Sequence, residues 1–474
     1  MSDAETVRGG RAARMRKGAA ANSLALVARI LQQLLQVPLF LAFWPADRYG
    51  DWLVLWTLPA YLTLGGAGFG AAGGNVLAGL AHENAGAADK ARAQTVFKAV
   101  WLMITAGTAV IGLAVTLIVA FAASRGAIAL ETVPSTELVA AVAWFALYVF
   151  LRSEASVMET GFRYVKAYPL YTVLDNGALL VEFAALAVAL SLGGGVADLA
   201  AALCVVRAMV LAFAAIVVRA RAGFLFAGWR NGEIGRAMRE LATPALGFLL
   251  VPAGHALSLQ GFVILVSVVF GASATAVFVT LRTMVRFVDT VLSLAFNIMY
   301  YEVAYTEKGG ERRAFAARLF QATPVFFTLT LGYCTVLWVF GDDLHAVWTQ
   351  GKVAFDKGLL LIFSLAALVR SLNAAPVAIV SGANLLFRYG LVYVCAAGLA
   401  LGLAVLVGGA TDQIRLVAAL IIAVDSALFA TALIIALRHT GMGFAEYARH
   451  AGGFSAFVLA RREVMRRAER FGKR

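Results

Sequence analysis

Charged residues are scarce in this sequence. Asp, Glu, Lys and Arg make up 14% of the 474 residues, whereas ordinary soluble domains carry about 25%. The hydrophobic fraction is 61%, the mean hydropathy is +0.83, and no polar stretch is long enough for a soluble domain of ordinary size. The composition therefore predicts a polytopic membrane protein.

Cysteine is also scarce, with three residues in the chain. Cys204, Cys334 and Cys395 lie in apolar segments without C-x-x-C spacing and without a nearby histidine, so core thiols are favoured over disulfides or metal ligands. The histidines form no metal-ligand pair in the sequence. We expect neither a metal site nor a cofactor.

The sequence gives no support for nucleotide binding. The pattern G-x-x-x-x-G-K-[ST] is absent, so we expect no ATPase activity of the chain's own. The segment Gly68–Gly73 matches G-x-G-x-x-G, but it lies in an apolar run rather than after a strand. Close helix packing through small residues explains it better.

The net charge of +13 would suggest nucleic acid as a partner of a soluble protein. Here the basic residues cluster at the ends of apolar segments, so the positive-inside rule explains them and we expect no nucleic-acid partner. A basic stretch, Arg8 to Lys17, precedes an apolar run that continues to Phe43 without a small-residue cleavage site. That run is predicted to be a retained transmembrane helix rather than a signal peptide.

Apolar runs predict about twelve transmembrane helices, because a span needs about 20 apolar residues. The fold class expected is all-α and polytopic, with two six-helix bundles. The predicted spans are 19–43, 52–76, 95–122, 137–160, 168–192, 197–219, 245–269, 274–300, 319–340, 359–383, 389–408 and 414–437.

The longest basic connection divides six predicted helices from six, as in transporters built from two repeated halves. The predicted organisation is a cytoplasmic basic tail at 1–18, a first bundle at 19–219, a cytoplasmic linker at 220–244, a second bundle at 245–437, and a basic amphipathic tail at 438–474. The last tail is expected to lie on the cytoplasmic membrane surface. With the N-terminus in the cytoplasm, few basic residues fall on the opposite side, so both termini are predicted to be cytoplasmic.

Six arginines lie in the interior of the predicted spans, away from the span ends. A charged side chain at the bilayer centre costs about 2.5–3.5 kcal/mol, so such residues face a bundle interior or a hydrated cavity. Two of them, Arg282 and Arg286, share the apolar stretch Ala274 to Tyr300. The other four are Arg29, Arg152, Arg207 and Arg370.

Helical spacing places polar residues in stripes. The eighth predicted helix carries the longest one, whereas the first and tenth carry shorter ones. The stripes are Arg282, Arg286, Asp289, Ser293 and Asn297; Asn22, Arg29 and Gln36; and Arg370, Asn373, Ser381 and Asn384.

Two interpretations of these stripes remain open. The polar groups could pair with one another as structural contacts, for example Arg286 with Asp289. Alternatively, an excess of arginine over membrane acids indicates a positive, hydrated cavity for an anionic substrate such as a phosphate or pyrophosphate, which guanidinium groups bind in a bidentate manner. The candidate substrate-binding residues are Arg29, Arg282, Arg286, Arg370, Gln36 and Asn297.

Acidic residues in the spans are candidates for coupling transport to H⁺ or Na⁺. These are Asp175, Glu182, Asp289 and Asp425. Two further acids, Glu154 and Glu159, lie beside Arg152 and Arg163, and the sequence predicts interfacial salt bridges for them.

Several short segments have a familiar layout: Arg29-Ile-Leu-Gln-Gln, Tyr49-Gly50-Asp51-Trp52-Leu53, the run Gly65 to Gly74, Leu259-Gln260-Gly261-Phe262, Phe270-Gly271-Ala272 and Leu281-Arg282. In these segments and in its helix layout the chain resembles the polysaccharide-transporter (Wzx-like flippase) branch of the multidrug/oligosaccharidyl-lipid/polysaccharide (MOP) exporter superfamily. The resemblance covers most of the chain.

The resemblance implies two six-helix bundles around a central cavity, in a bacterial inner-membrane protein. It implies movement of undecaprenyl-pyrophosphate-linked sugars between leaflets for surface polysaccharide synthesis, with polysaccharide assembly proteins as partners. The cationic lumen of such proteins would map onto Arg29, Arg282, Arg286 and Arg370. Two extra helices usual in lipid II flippases are not predicted here.

Two alternatives to the flippase are kept. A drug or cation antiporter of the same fold would have a lumen dominated by acids and aromatics, which the arginine excess disfavours. An O-antigen polymerase or ligase would be an enzyme and would need a large outside loop. The longest predicted one runs from Gly341 to Gly358, with Asp342, Asp343 and His345 as its best candidates.

Overall fold

The computed structural model describes residues 30–66, 68–81, 86–228, 231–306, 312–383, 385–411 and 413–452. Three of the polar stripe residues singled out above, Asn22, Arg29 and Asn384, lie outside this part of the chain, as does the predicted tail at 1–18. The predicted C-terminal tail is described only to residue 452.

The described residues form helices and connecting turns, with no strand among them. Sixteen helices are numbered here in chain order. They are α1 (Ile30–Phe43), α2 (Ala46–Leu55), α3 (Leu58–Leu62), α4 (Phe69–Leu80), α5 (Ala87–Ser124), α6 (Ser135–Tyr164), α7 (Tyr168–Ser191), α8 (Val196–Ala222), α9 (Asn231–Ala256), α10 (Phe262–Thr306), α11 (Arg312–Phe320), α12 (Thr323–Trp348), α13 (Lys357–Gly382), α14 (Leu386–Thr411), α15 (Ile414–Thr440) and α16 (Phe444–Gly452).

Nine helical segments within the described residues are long and apolar enough to cross a membrane, and α1 is a shorter apolar helix. One of the nine, Leu249–Ser293, covers most of two predicted spans, 245–269 and 274–300. Non-helical backbone at Gly271 (φ 87°, ψ 175°) separates those two spans within α10. The multi-pass, all-helical fold class predicted from the sequence is therefore confirmed.

The second predicted span, 52–76, is not one continuous helix. It is divided among α2, α3, a 3₁₀ turn at Thr63–Gly65, and α4. Gly68 stands at the start of α4 with φ +88°, and a Cβ there would overlap the backbone carbonyl of Ala245. The small-residue run therefore breaks the helix, because only glycine allows both this φ and this approach.

Helix α9 begins at Asn231, inside the segment predicted to be a linker. It ends at Ala256 and is followed by a π-helical turn, Leu257–Gly261, that leads into α10. A π-turn inserts one extra residue per turn, which changes the direction of the side chains that follow and often marks a functional site.

The chain divides into two compact units. Unit 1 comprises residues up to Ala256 together with Phe270–Ala276, and unit 2 comprises Leu257–Val269 and the residues from Val277 onward. In unit 1, an aromatic group at the core contains Phe40, Trp52 and Phe145, with Phe40 stacked on Trp52 at a centroid distance of 5.2 Å.

Unit 2 has its own core, formed by α10, α11, α13, α15 and α16. Phe320 and Tyr447 meet edge to face there, with ring centroids 4.9 Å apart. Each unit therefore carries a separate apolar core around which its charged side chains are arranged.

Candidate functional site

Four charged side chains of the predicted stripes and one of the ion-coupling candidates come together inside unit 2. Helix α10 supplies three of them at steps of four and three residues, which places them on one helical face. Helices α13 and α15 supply one each. The group consists of Arg282, Arg286 and Asp289 from α10, Arg370 from α13, and Asp425 from α15; we call it the arginine cluster.

Arg370 lies at the centre of the arginine cluster. Its Nε donates to Oδ2 of Asp289 at 3.0 Å, and its Nη1 donates to Oδ2 of Asp425 at 2.8 Å. Arg286 lies farther from an acid, with its Nε 3.8 Å from Oδ2 of Asp289. Asp289 is thus shared between two guanidinium groups, and Arg370 is the more firmly held of the two arginines.

Arg282 is paired differently. It is buried, and its Nη1 donates to the backbone carbonyl of Leu259 at 2.7 Å. Its guanidinium carbon also lies 5.3 Å from the ring centre of Phe278. Within the described residues, no carboxylate pairs with Arg282. Leu259 belongs to the π-helical turn, so Arg282 supplies a hydrogen-bond donor to a backbone carbonyl in an irregular segment. Inside a membrane, such backbone groups must find their hydrogen-bond partners within the protein.

The charges of the arginine cluster do not cancel. Three guanidinium groups face two carboxylates, so the cluster is positive when all five groups are ionised. The fully paired arginine is Arg370, whereas Arg282 and Arg286 keep donors that a bound anion could use. An arginine fork matches the oxygens of a phosphate, because it offers two parallel N–H donors.

Three of the predicted substrate ligands are not brought into this cluster by described contacts. Arg29 lies outside the described residues. Gln36 is half-buried on α1, in unit 1. Asn297 lies on α10, about two helical turns beyond Asp289, but its side chain is not among those described. Substrate binding by these three remains a prediction.

A second charged group lies within unit 1. Arg207 of α8 is fully buried; its Nε donates to Oε1 of Glu182 at 2.5 Å and its Nη1 to Oδ1 of Asp175 at 2.6 Å. Arg207 is one of the six arginines inside the predicted spans, and two acids of α7 neutralise it, so it does not add to the positive charge available to an anion. Ion coupling by Asp175, Glu182, Asp289 or Asp425 remains a prediction.

Glu154 on α6 differs from the sequence prediction. Glu159 does pair with Arg163 at 2.7 Å, but Glu154 forms no salt bridge with any residue that the structure describes. It is 7% exposed and accepts hydrogen bonds from Trp101 and Thr105 of α5 instead. The sequence does not indicate this contact, because its partners lie on two different helices. The one local signal is that Trp101 and Thr105 are four residues apart and so share a face of α5.

The segment expected to be an outside loop with enzymatic candidates is largely helical. His345 lies within α12, is fully buried, and is 3.1 Å from the hydroxyl of Thr280. Asp342 and Asp343 are exposed on the same helix. The first half of the predicted loop was wrong, because the apolar pattern of α12 continues to Trp348, whereas the connection at 349–356 is not helical. Within the described residues, no group of three or more His, Cys, Asp or Glu side chains could hold a metal ion.

Comparison with solved structures identifies the architecture. The chain is similar to an inward-facing multidrug resistance MATE family transporter of the MOP superfamily, with a TM-score of 0.63, 13% identity and coverage of 88% of this chain and 98% of that one. It is similar to the lipid II flippase MurJ in an inward closed conformation, with a TM-score of 0.61, 9% identity and coverage of 93% and 90%. The fold is that of the MOP-superfamily transporters.

A third structure with the MOP fold is the Vibrio cholerae MATE transporter VcmN, in a mutant form, with a TM-score of 0.60, 14% identity and coverage of 93% of this chain and 99% of that one. No protein-family model matches the sequence, and no curated protein matches it either. At these identities, the similarity establishes the MOP fold and a multi-pass membrane protein, and leaves the substrate to the chemistry of the site. The similar structures are transporters and flippases rather than enzymes of polymer synthesis.

Proposed function

We propose that this protein is a flippase for a lipid-linked oligosaccharide, which it moves across the membrane by alternating access. The substrate would carry its oligosaccharide on a polyprenyl pyrophosphate, and the transport would serve the synthesis of a surface polysaccharide such as O-antigen, exopolysaccharide or capsule. The observation that carries this proposal is the arginine cluster of unit 2, whose three guanidinium groups are opposed by only two carboxylates.

Each arginine of the cluster has a distinct part in this proposal. Arg370 is held by two carboxylates and positions the others. Arg286 has one long contact, so a pyrophosphate can draw it away from Asp289 at low cost. Arg282 would exchange its bond to the Leu259 carbonyl for a bond to a phosphate oxygen. The two incompletely neutralised arginines are therefore the proposed anion ligands.

A charge-neutral cluster would not serve this substrate. A pyrophosphate brings more than one negative charge, and transferring it into a low-dielectric interior requires compensating cations with good hydrogen-bond geometry. The excess of guanidinium groups in unit 2 supplies the compensating positive charge and the hydrogen-bond donors. Arg29 and Gln36 of unit 1 and Asn297 of α10 are proposed as additional ligands, and polysaccharide assembly proteins as partners. The bacterial inner membrane is the proposed location, with both termini in the cytoplasm.

The second candidate function is export of a cationic drug in exchange for an ion. The observation that favours it is the pair of carboxylates in the same cluster, Asp289 and Asp425, together with the MATE transporters among the structures of the same fold. In the structure, however, both carboxylates bind Arg370. An organic cation would have to displace a guanidinium from each, so the cluster fits an anion better.

Reconstituted protein can distinguish the two functions. The full chain is placed in liposomes that contain a polyprenyl-pyrophosphate-linked oligosaccharide, and a membrane-impermeant glycosidase measures how fast that substrate reaches the outer leaflet. A parallel set of liposomes measures uptake of ethidium. We expect movement of the lipid-linked oligosaccharide, loss of at least ten-fold in rate in Arg282→Gln and Arg286→Gln, and no ethidium transport.

Arg388→Gln is the matched control, because Arg388 is an exposed arginine of unit 2 outside the cluster. It should move the substrate at the wild-type rate. Ethidium transport without movement of the oligosaccharide would favour the antiporter. Normal movement in both cluster variants would show that the arginine cluster is not the substrate site.

A further inference from the structure

Helix α6 of unit 1 carries a buried acid outside the arginine cluster. Glu154 is 7% exposed. Both of its oxygens accept hydrogen bonds from α5: Oε2 from the indole Nε1–H of Trp101 at 2.8 Å, and Oε1 from the hydroxyl of Thr105 at 2.5 Å. Both donors are neutral, whereas buried charges are usually paired with an opposite charge.

No cation pairs with Glu154 among the described residues. On its own helix, Arg152 is exposed and Arg163 is bound by Glu159. On α5, the buried amine of Lys98 donates to the backbone carbonyl of Ala227. Of these three basic groups, Arg163 and Lys98 are therefore bonded elsewhere and Arg152 is exposed.

The other helices packed on α6 supply no free charge either. On α8, Arg207 is held by Asp175 and Glu182 of α7. Helices α3 and α4 contain no charged residue, and the phenol of Tyr61 on α3 donates to the backbone carbonyl of Ala256. Electrostatic compensation for an ionised Glu154 therefore comes from two neutral dipoles, and a proton is the ligand that would neutralise it most directly.

We propose that Glu154 is a proton-binding site, and that taking up and releasing this proton alters the contact between α5 and α6 during transport. In the ionised state, both oxygens accept, Oε2 from Trp101 and Oε1 from Thr105. On protonation, the new O–H bond forms at Oε1, whose proton is donated to the hydroxyl oxygen of Thr105, while Trp101 continues to donate to Oε2. No other bond forms or breaks in the carboxyl group.

The hydroxyl of Thr105 then needs a new acceptor. A threonine in a helix can donate to the backbone carbonyl four residues earlier, which for Thr105 is that of Trp101. Helix α5 shows this geometry at three other threonines, Thr95, Thr108 and Thr116, with distances of 3.0, 2.7 and 2.8 Å. Both protonation states of Glu154 can therefore be satisfied without a cation, as a reversible proton site requires.

Helices α5 and α6 are closely packed against α4 near Glu154, so a small movement between α5 and α6 would also affect α4. Helix α4 meets α5 and α6 through glycines: a Cβ at Gly73 would overlap Val100 of α5, and one at Gly70 would touch Ile104 of α5 and Ser156 of α6. Close packing of this kind is sensitive to small shifts between helices. A change in the hydrogen bond between Thr105 and Glu154 would thus shift the packing of α4, which lies in the broken second span.

The proton site can be tested directly in the full chain purified in lipid nanodiscs. Infrared difference spectroscopy measures the C=O stretching band of protonated carboxyl groups as the pH is lowered. We expect a band in the wild type that is absent in Glu154→Gln and displaced in Trp101→Phe, because the indole donor is lost. Glu159→Gln is the matched control: this acid is on the same helix but salt-bridged, and its replacement should leave the band unchanged.

A transport measurement then tests the role of the proton, which rests on the proposed flippase function. In liposomes, the rate for the wild type should depend on an imposed pH gradient, whereas Glu154→Gln should lose that dependence and Glu154→Asp should retain it. A band that persists in Glu154→Gln would overturn the proton site. An unchanged response to the gradient in Glu154→Gln would overturn its role in coupling.

The two proposals fail in distinguishable ways. If the wild type does not move a lipid-linked oligosaccharide at all, the flippase function is refuted, while the infrared band and its loss in Glu154→Gln still decide whether Glu154 binds a proton. Size-exclusion profiles matching the wild type establish that each variant is folded before its spectrum is read.

Discussion

Arg282 donates a hydrogen bond from Nη1 to the backbone carbonyl of Leu259 at 2.7 Å, within unit 2. Leu259 lies in the π-helical turn Leu257–Gly261, where the regular backbone pairing of a helix is interrupted. The arginine thus has two properties at once: it satisfies an irregular backbone segment, and it is the cluster member without a carboxylate partner among the described residues.

This arrangement predicts different results for two substitutions of Arg282. Arg282→Ala removes the side-chain donor to the partly buried Leu259 carbonyl, and an unsatisfied buried acceptor costs about 1–3 kcal/mol; it also removes a proposed ligand. Arg282→Lys keeps a donor and a positive charge but lacks the bidentate fork. We therefore expect a lower melting temperature and no transport for the alanine variant, and near wild-type melting with reduced transport for the lysine variant. Equal melting temperatures for wild type and Arg282→Ala would contradict the structural role.

The salt-bridged group of unit 1 predicts a large loss of stability when its cation is removed. Arg207→Met would leave Glu182 and Asp175 without their guanidinium partner, and breaking a buried pair in this way costs about 3–5 kcal/mol. Denaturation in mixed micelles measures the change in unfolding free energy. Adding Glu182→Gln to Arg207→Met should recover part of the loss, since one uncompensated charge is then absent. A double variant less stable than Arg207→Met would count against this account.

Gly68 is predicted to be irreplaceable at the break in the second span. Its φ of +88° disfavours any residue with a Cβ, and the added carbon would meet the carbonyl of Ala245. We expect Gly68→Ala to lower the unfolding free energy by at least about 1 kcal/mol. Gly79→Ala is the matched control, because Gly79 lies in the same α4 with open space around it and should be neutral or slightly stabilising. The comparison fails if both variants melt alike.

The contact between α11 and α16 is predicted to depend on pH. Arg313 donates to both carboxyl oxygens of Glu446, at 2.7 and 3.2 Å, and these hydrogen bonds hold the pKa of Glu446 below its usual value. A lowered folded-state pKa means that the contact stabilises α16 above the ordinary pKa of a glutamate and is lost as the pH falls through the lowered value.

A nitroxide label at Ala448→Cys would measure this effect in a variant whose native cysteines are replaced. We expect the label's mobility to rise as the pH is lowered in the wild-type background. In Glu446→Gln the mobility should be high already near neutral pH and should change little with acidification. A pH dependence of the same size in both backgrounds would exclude Glu446 as the titrating group.

Some of the arginine cluster was predictable from the sequence. Helical spacing placed Arg282, Arg286 and Asp289 on one face, because a rotation of about 100° per residue relates them without any knowledge of neighbouring helices. The partners of Arg370 were not predictable in the same way. They come from α10 and α15, and such pairing depends on how helices distant in sequence pack.

For Glu154, the sequence suggested a contact that the structure does not contain. Its neighbours in the sequence, Arg152 and Arg163, suggested a salt bridge, yet the acid turns toward Trp101 and Thr105 of α5. Residues close in sequence need not share a helical face, so proximity along the chain was a poor guide. The prediction of one continuous helix at 52–76 was also wrong, because hydropathy alone does not detect the positive φ of Gly68.

By itself, the sequence determined that this protein is an all-helical, multi-pass membrane protein with arginines inside its spans, because the bilayer demands long apolar helices and makes every charge within them costly. Only the tertiary structure decided which of those charges neutralise one another: Arg207 is occupied by two acids, Arg370 is shared between Asp289 and Asp425, and Arg282 is left with a backbone carbonyl. That assignment is set by packing between helices far apart in the chain, and no local pattern contains it.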